Sequence, residues 1–108
     1  MKILFETIRR FQKEINRLKN EKIHLNDIEK RKKIEAKIHF YESEISRYRI
    51  YTDTWLDSQD SDDRRVAHFY YYNVTSWESA VSKCGYPENC SDSIRRRIER
   101  ALKKTNWF

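Results

Sequence analysis

Six cations crowd the end of the chain. Arg95, Arg96, Arg97, Arg100, Lys103 and Lys104 fall within residues 91–104, against only Asp92 and Glu99. Arginine at this density suits one kind of chemistry. Its guanidinium forks onto paired acceptors such as phosphate oxygens or the O6 and N7 atoms of guanine. The spacing is helical. Arg96, Arg100 and Lys103 stand at i, i+4 and i+7 on one face, opposite Ile94, Ile98, Ala101 and Leu102, with Arg95, Arg97 and Lys104 on the flanks. Ser93 and Asp92, at the start of this helix, stand where they would reach base edges or phosphates. The candidate site is therefore Ser93, Arg95, Arg96, Arg97, Arg100, Lys103 and Lys104: phosphate anchoring by Arg95, Arg97 and Lys104, with Arg96, Arg100 and their neighbours near the bases.

A helix that presents one face needs another to brace it. Thr75 followed by Glu78 reads as a capping box that opens a short helix through Cys84. Gly85 ends it as a natural C′ residue, Pro87 lies just beyond, and Ser91 or Ser93 caps the basic helix. Short helix, glycine-containing turn and basic helix form a helix-turn-helix pattern. Upstream, Val66, Phe69 and Tyr70 at i, i+3 and i+4 favour a helix over a strand for residues 64–72. The acidic stretch before it, which is rich in Asp from Asp57 to Asp63, supplies Asp62 and Asp63 for that helix's N-terminus.

The first 57 residues read as an antiparallel, coiled-coil-like helical hairpin. Leu4, Ile8, Phe11, Ile15 and Leu18 form one seam, and Ile34, Ile38, Tyr41, Ile45, Tyr48, Thr52 and Trp55 form another, both in steps of four and three. Pairing Ile15 with Ile34, Phe11 with Ile38, Ile8 with Tyr41 and Leu4 with Ile45 keeps the total of each pair constant, as a turn near residues 22–27 requires. Leu25 and Ile28 would close the turn end, and Asn26 followed by Glu29 would cap the second helix. Tyr48, Tyr51 and Trp55 overrun the first helix and are expected to pack on the C-terminal part. Spare apolar surface also offers a homodimer through the hairpin. The fold class is thus all-α, with a hairpin over 1–57, an acidic connector over 58–63 and a helix-turn-helix-like domain over 64–108.

Composition narrows the rest. A single glycine excludes glycine-rich phosphate loops and argues against an all-β fold. No apolar run approaches the ~20 residues of a membrane span, and the N-terminal apolar stretch is too short for a signal peptide, so a cytoplasmic place in a host cell is expected. The net charge of +6 suits a nucleic acid or another acidic partner. Cys84 and Cys90 read as reduced thiols and do not amount to a zinc site. His24, His39 and His68 are scattered, with no nucleophile or carboxylate constellation around them. No enzyme, metal or cofactor is expected.

Residues 64–104 resemble the DNA-binding region 4 of sigma factors, in the stand-alone form of small phage transcriptional regulators. The resemblance rests on Arg65-Val66 leading to Tyr70-Tyr71-Tyr72, on Ser76-Trp77-Glu78, on Gly85-Tyr86, and on the run from Arg97 to Lys104. It implies a supporting helix from Trp77 to Cys84 and a recognition helix from Ser93 to Lys104. This chain departs from the pattern in having Ala80-Val81 for the family's Ile-Ala pair, a longer turn over 85–90, and no glycine before Ser76-Trp77. A weaker resemblance, through residues 80–86, is to phage small terminase subunits. The resemblance implies a phage-type regulator that binds double-stranded DNA. The alternative is a phage-encoded inhibitor, of anti-CRISPR or host-takeover type, acting on RNA polymerase or another host protein complex. In that reading Tyr70-Tyr71-Tyr72 and Trp107-Phe108 are protein contacts.

Overall fold

Two long runs of charged residues, with an apolar residue every third or fourth position, fold as α1 (Lys2–Ile23) and α2 (Ile28–Asp57). The computed structural model describes residues 1–105, and every regular element among them is helical. Three shorter helices follow: α3 (Ser61–Tyr71), α4 (Trp77–Lys83) and α5 (Ser91–Lys103), the last preceded by a 3-10 turn over Glu88–Cys90.

Contacts between α1 and α2 run in opposite order along the two helices. Near the turn Lys22 pairs with Glu35 at 2.9 Å. In the middle Phe11 lies 4.9 Å from Tyr41 between ring centroids, and at the far end Phe5 meets Trp55 edge-on at 5.5 Å. Phe11 therefore meets Tyr41, and Ile8 shares a groove wall with Ile45, about one helical turn further along α2 than the expected partners Ile38 and Tyr41. Two effects move the register the same way. The loop spans 24–27, so the turn is centred later than expected. Side chains also lean toward the N-terminus of their own helix, so in an antiparallel pair each α1 residue reaches a partner further along α2.

The turn carries a second correction. Asp27, not Asn26, caps α2, its carboxylate accepting from the backbone N–H groups of Glu29 and Lys30 at 2.9 and 3.3 Å. Leu25 packs against the core, but Ile28, expected to close that end, stands exposed.

The deepest packing lies where α1, α2 and α3 meet. Phe5, absent from the heptad seam, has no exposed surface and touches Trp55, Tyr71 and Tyr72. Thr52 and Asp53 both bond the Tyr72 hydroxyl, at 2.6 and 2.7 Å. Trp55 donates its indole N–H to the Thr105 hydroxyl at 3.0 Å, which ties α2 to the end of α5. Tyr48 stacks on Phe11, Tyr51 is partly exposed, and Trp55 joins the C-terminal part as expected. Tyr71 and Tyr72 are core residues and Tyr70 is half-buried, so the tyrosine run is not an exposed patch. Trp107 and Phe108 lie outside the described residues.

Arg9 fastens α1 to the C-terminal helices. Its Nε donates to the Tyr70 carbonyl at 3.1 Å and its Nη2 to the Thr75 carbonyl at 3.2 Å. The guanidinium also lies 4.2 Å over the Tyr70 ring, which stacks on Trp77 at 3.8 Å and meets Tyr71 edge-on at 4.8 Å.

Candidate nucleic-acid interface

Three local structures set the pose of α5. The first is the end of α4. Ser76, rather than Thr75, caps this helix by accepting from Ser79 N–H at 3.1 Å, while the Thr75 hydroxyl donates to the Phe69 carbonyl. Cys84 is the C-cap. The Gly85 N–H bonds Ser82 O and the Tyr86 N–H bonds Val81 O, with Gly85 at φ +88°. This is a Schellman closure, and it needs the left-handed conformation that glycine adopts without strain.

The second is the entry into α5. The residues of the long turn are taken up by the 3-10 turn Glu88–Cys90, which leads directly into Ser91. No side chain caps α5, so neither Ser91 nor Ser93 has the expected role. Ser91 is buried, and Ser93 stays exposed.

The third is the first turn of α3, which begins at Ser61 and takes in the acidic residues. Asp63 accepts from Arg97 Nε at 2.9 and 3.1 Å, and Arg97 Nη2 bonds the same carboxylate. The nearby Asp62 carboxylate pushes the pKa of the Tyr86 phenol up. The Asp63 carboxylate thus holds α5 against α3. Among the described residues no group of three or more His, Cys, Asp or Glu is arranged to hold a metal ion.

With α5 fixed, its faces are distinct. Ile94, Ile98 and Leu102 are buried. Ser93, Arg95, Arg96, Arg97, Arg100, Lys103 and Lys104 are all exposed. Arg96, Arg97 and Arg100 line one shallow groove of about 540 Å3 with Asn89, Asp92 and Ser93. The flanking cations are already paired: Arg95 with Glu99 at 2.9 Å, and Arg97 with Asp63. Among the described residues no carboxylate pairs with Arg96, Arg100, Lys103 or Lys104. Like charges one turn apart on a helix repel by a few tenths of a kcal/mol per pair, which an anionic partner would reverse.

Sequence reading missed the cations of α1. Lys2, Arg9, Arg10 and Lys13 stand on the Arg95 side of α5. The signal was available, since Lys2, Glu6, Arg9 and Lys13 follow the same steps of four and three as the apolar seam beside them.

The thiols are free, with Cys84 buried and Cys90 half-buried; burial pushes the Cys84 thiol pKa up. Among the described residues no helix is long and apolar enough to cross a membrane. No protein-family model, curated protein or solved structure matches this chain.

Proposed function

We propose that this chain is a small DNA-binding transcriptional regulator of the phage type, in which α4 and α5 act as a sigma-like helix-turn-helix and α5 enters the major groove. One observation carries the reading: Arg96, Arg100 and Lys103 form an exposed ridge without carboxylate partners among the described residues, on a helix whose opposite side is buried. Arg96 and Arg100, with Ser93 beside them, are the groups aimed at base edges. Lys104 takes a backbone phosphate. Arg95 and Arg97 reach phosphate by exchanging one anion for another. Ion pairs at the surface are worth only about 0–1 kcal/mol, so the Arg95 exchange costs little, while Asp63, only 13% exposed, makes the Arg97 exchange the harder one.

The test is the triple variant Arg96→Ala, Arg100→Ala, Lys103→Ala. All three side chains are exposed, so stability should stay within about 0.5 kcal/mol per site. Binding to duplexes selected from a random pool should weaken strongly. The slope of log K against log salt should shrink by roughly 0.9 for each phosphate that the variant no longer neutralises. If one arginine reads a guanine, preference at that base pair should relax by ~1–3 kcal/mol. A folded triple variant that binds the selected duplex as tightly as wild type refutes the assignment of α5. A wild-type chain that selects no duplex refutes DNA binding, and a protein captured from host lysate after nuclease treatment would then identify the partner class.

A further inference from the structure

The two flanks of α5 differ in charge. On one side Arg97 and Asp63 close on each other as a neutral pair. On the other side a cleft of about 360 Å3 opens between α5 and α1. Its α1 wall consists of Lys2, Glu6, Arg9, Arg10 and Lys13, and its α5 wall of Arg95 and Glu99. Five cations thus face two carboxylates.

The pairing inside the cleft shows which charges are spent. Glu6 takes Lys2 at 3.8 Å, and Glu99 takes Arg95 at 2.9 Å. Arg9 spends its Nε and Nη2 on the Tyr70 and Thr75 carbonyls. Arg10 and Lys13 remain, exposed, three residues apart on one helix and without a carboxylate partner among the described residues. Arg10 lies 5.6 Å over the Phe11 ring, an added restraint on its position. A helix in the major groove is walled by a phosphate strand on each side. The α1 side of α5 offers such a strand unpaired positive charge, whereas on the α3 side Arg97 must first leave Asp63.

We propose that Arg10 and Lys13 bind backbone phosphates of the strand bordering α5 on its Arg95 side, so that α1 belongs to the DNA interface as well as to the scaffold. This inference rests on the DNA-binding reading of α5. It assigns the two residues to positioning on the duplex, with no part in base recognition.

The experiment is fluorescence anisotropy with a duplex selected by the wild-type protein, over roughly 50 to 200 mM salt. The variant Arg10→Gln, Lys13→Gln leaves α5 untouched. With two phosphates no longer neutralised, the salt slope should fall by about 1.8 and affinity by about 60-fold at roughly 0.1 M salt. The ratio of selected to random duplex affinity should stay at the wild-type value. Lys13→Gln alone should take about half the slope change, and circular dichroism melting confirms that each variant is folded. If the α5 triple variant loses binding while the α1 variant keeps the wild-type affinity and slope, this inference falls and the DNA-binding reading stands. If the α1 variant changes the sequence preference at constant slope, the phosphate assignment falls. If the wild-type protein binds no duplex, both fall.

Discussion

Removing the Arg9 guanidinium should loosen α1 from the C-terminal helices while leaving the Phe5 contacts with Tyr71 and Tyr72 in place. The side chain is half-buried and makes two charge-assisted hydrogen bonds, to the carbonyls of Tyr70 and Thr75, at 3.1 and 3.2 Å. Bonds from charged donors contribute about 1.5–3 kcal/mol each when buried, so about 1 kcal/mol each is a fair figure at partial exposure. The guanidinium over the Tyr70 ring, at 4.2 Å, adds about 0.5–1 kcal/mol. Arg9→Ala should therefore cost about 2–3 kcal/mol. At about 4 °C per kcal/mol for a domain of this size, Tm should fall by about 8–12 °C. Arg9→Lys keeps the charge and one bond but loses the fork, and should cost about half as much. Arg10→Ala, next door and exposed, is the control and should stay within about 0.5 kcal/mol. Urea unfolding by circular dichroism, with Tm as a second readout, measures all three. An Arg9→Ala variant within about 0.5 kcal/mol of wild type, a span typical of surface changes, would refute the claim that this residue joins the two parts.

Three further outcomes are expected. Val74 sits at φ +55°, a left-handed conformation unfavourable for a β-branched residue. Val74→Gly should accordingly unfold at higher urea than Val74→Ala, by about 1 kcal/mol, reversing the order seen at ordinary positions; the usual order would show that the loop is not strained. Partial desolvation, with Arg49 adding to it and Asp53 opposing, lowers the pKa of the surface residue His68 below the ordinary histidine value. A lowered folded pKa gives stability that is full above the unfolded pKa of about 6.5 and is lost as pH falls through the folded value. Tm should thus fall slightly as the pH drops below about 6.5, and less so in His68→Gln; superimposable pH profiles would contradict this. With both thiols free, adding a reducing agent should leave Tm unchanged, whereas a large drop would reveal a Cys84–Cys90 bridge.

The helices, the main apolar seam of each and the cation ridge were legible in the sequence. Those features follow from periodicity along one chain, which the 3.6-residue repeat converts directly into a face. Ile94, Ile98 and Leu102 therefore fell inside and Arg96 and Arg100 outside, as their spacing requires. Gly85 at the end of α4 was legible too, because a C′ residue with positive φ closes that helix. Local alternatives were harder to separate. Asn26 and Asp27, or Thr75 and Ser76, are equally good caps one residue apart, and backbone geometry selected Asp27 and Ser76. How the elements meet had to come from the packed molecule. The register of α1 on α2 depends on side-chain lean and turn position, neither of which is written in the heptads. Phe5 and Arg9 lie off the seam because α1 packs on two neighbours at once, and a single-stripe reading finds one of them. Charge partners 34 residues apart, such as Arg97 and Asp63, are set by the packing of α5 on α3. That packing, with the Arg95–Glu99 pair along α5 itself, divides six similar cations into two already paired and four that no carboxylate pairs among the described residues.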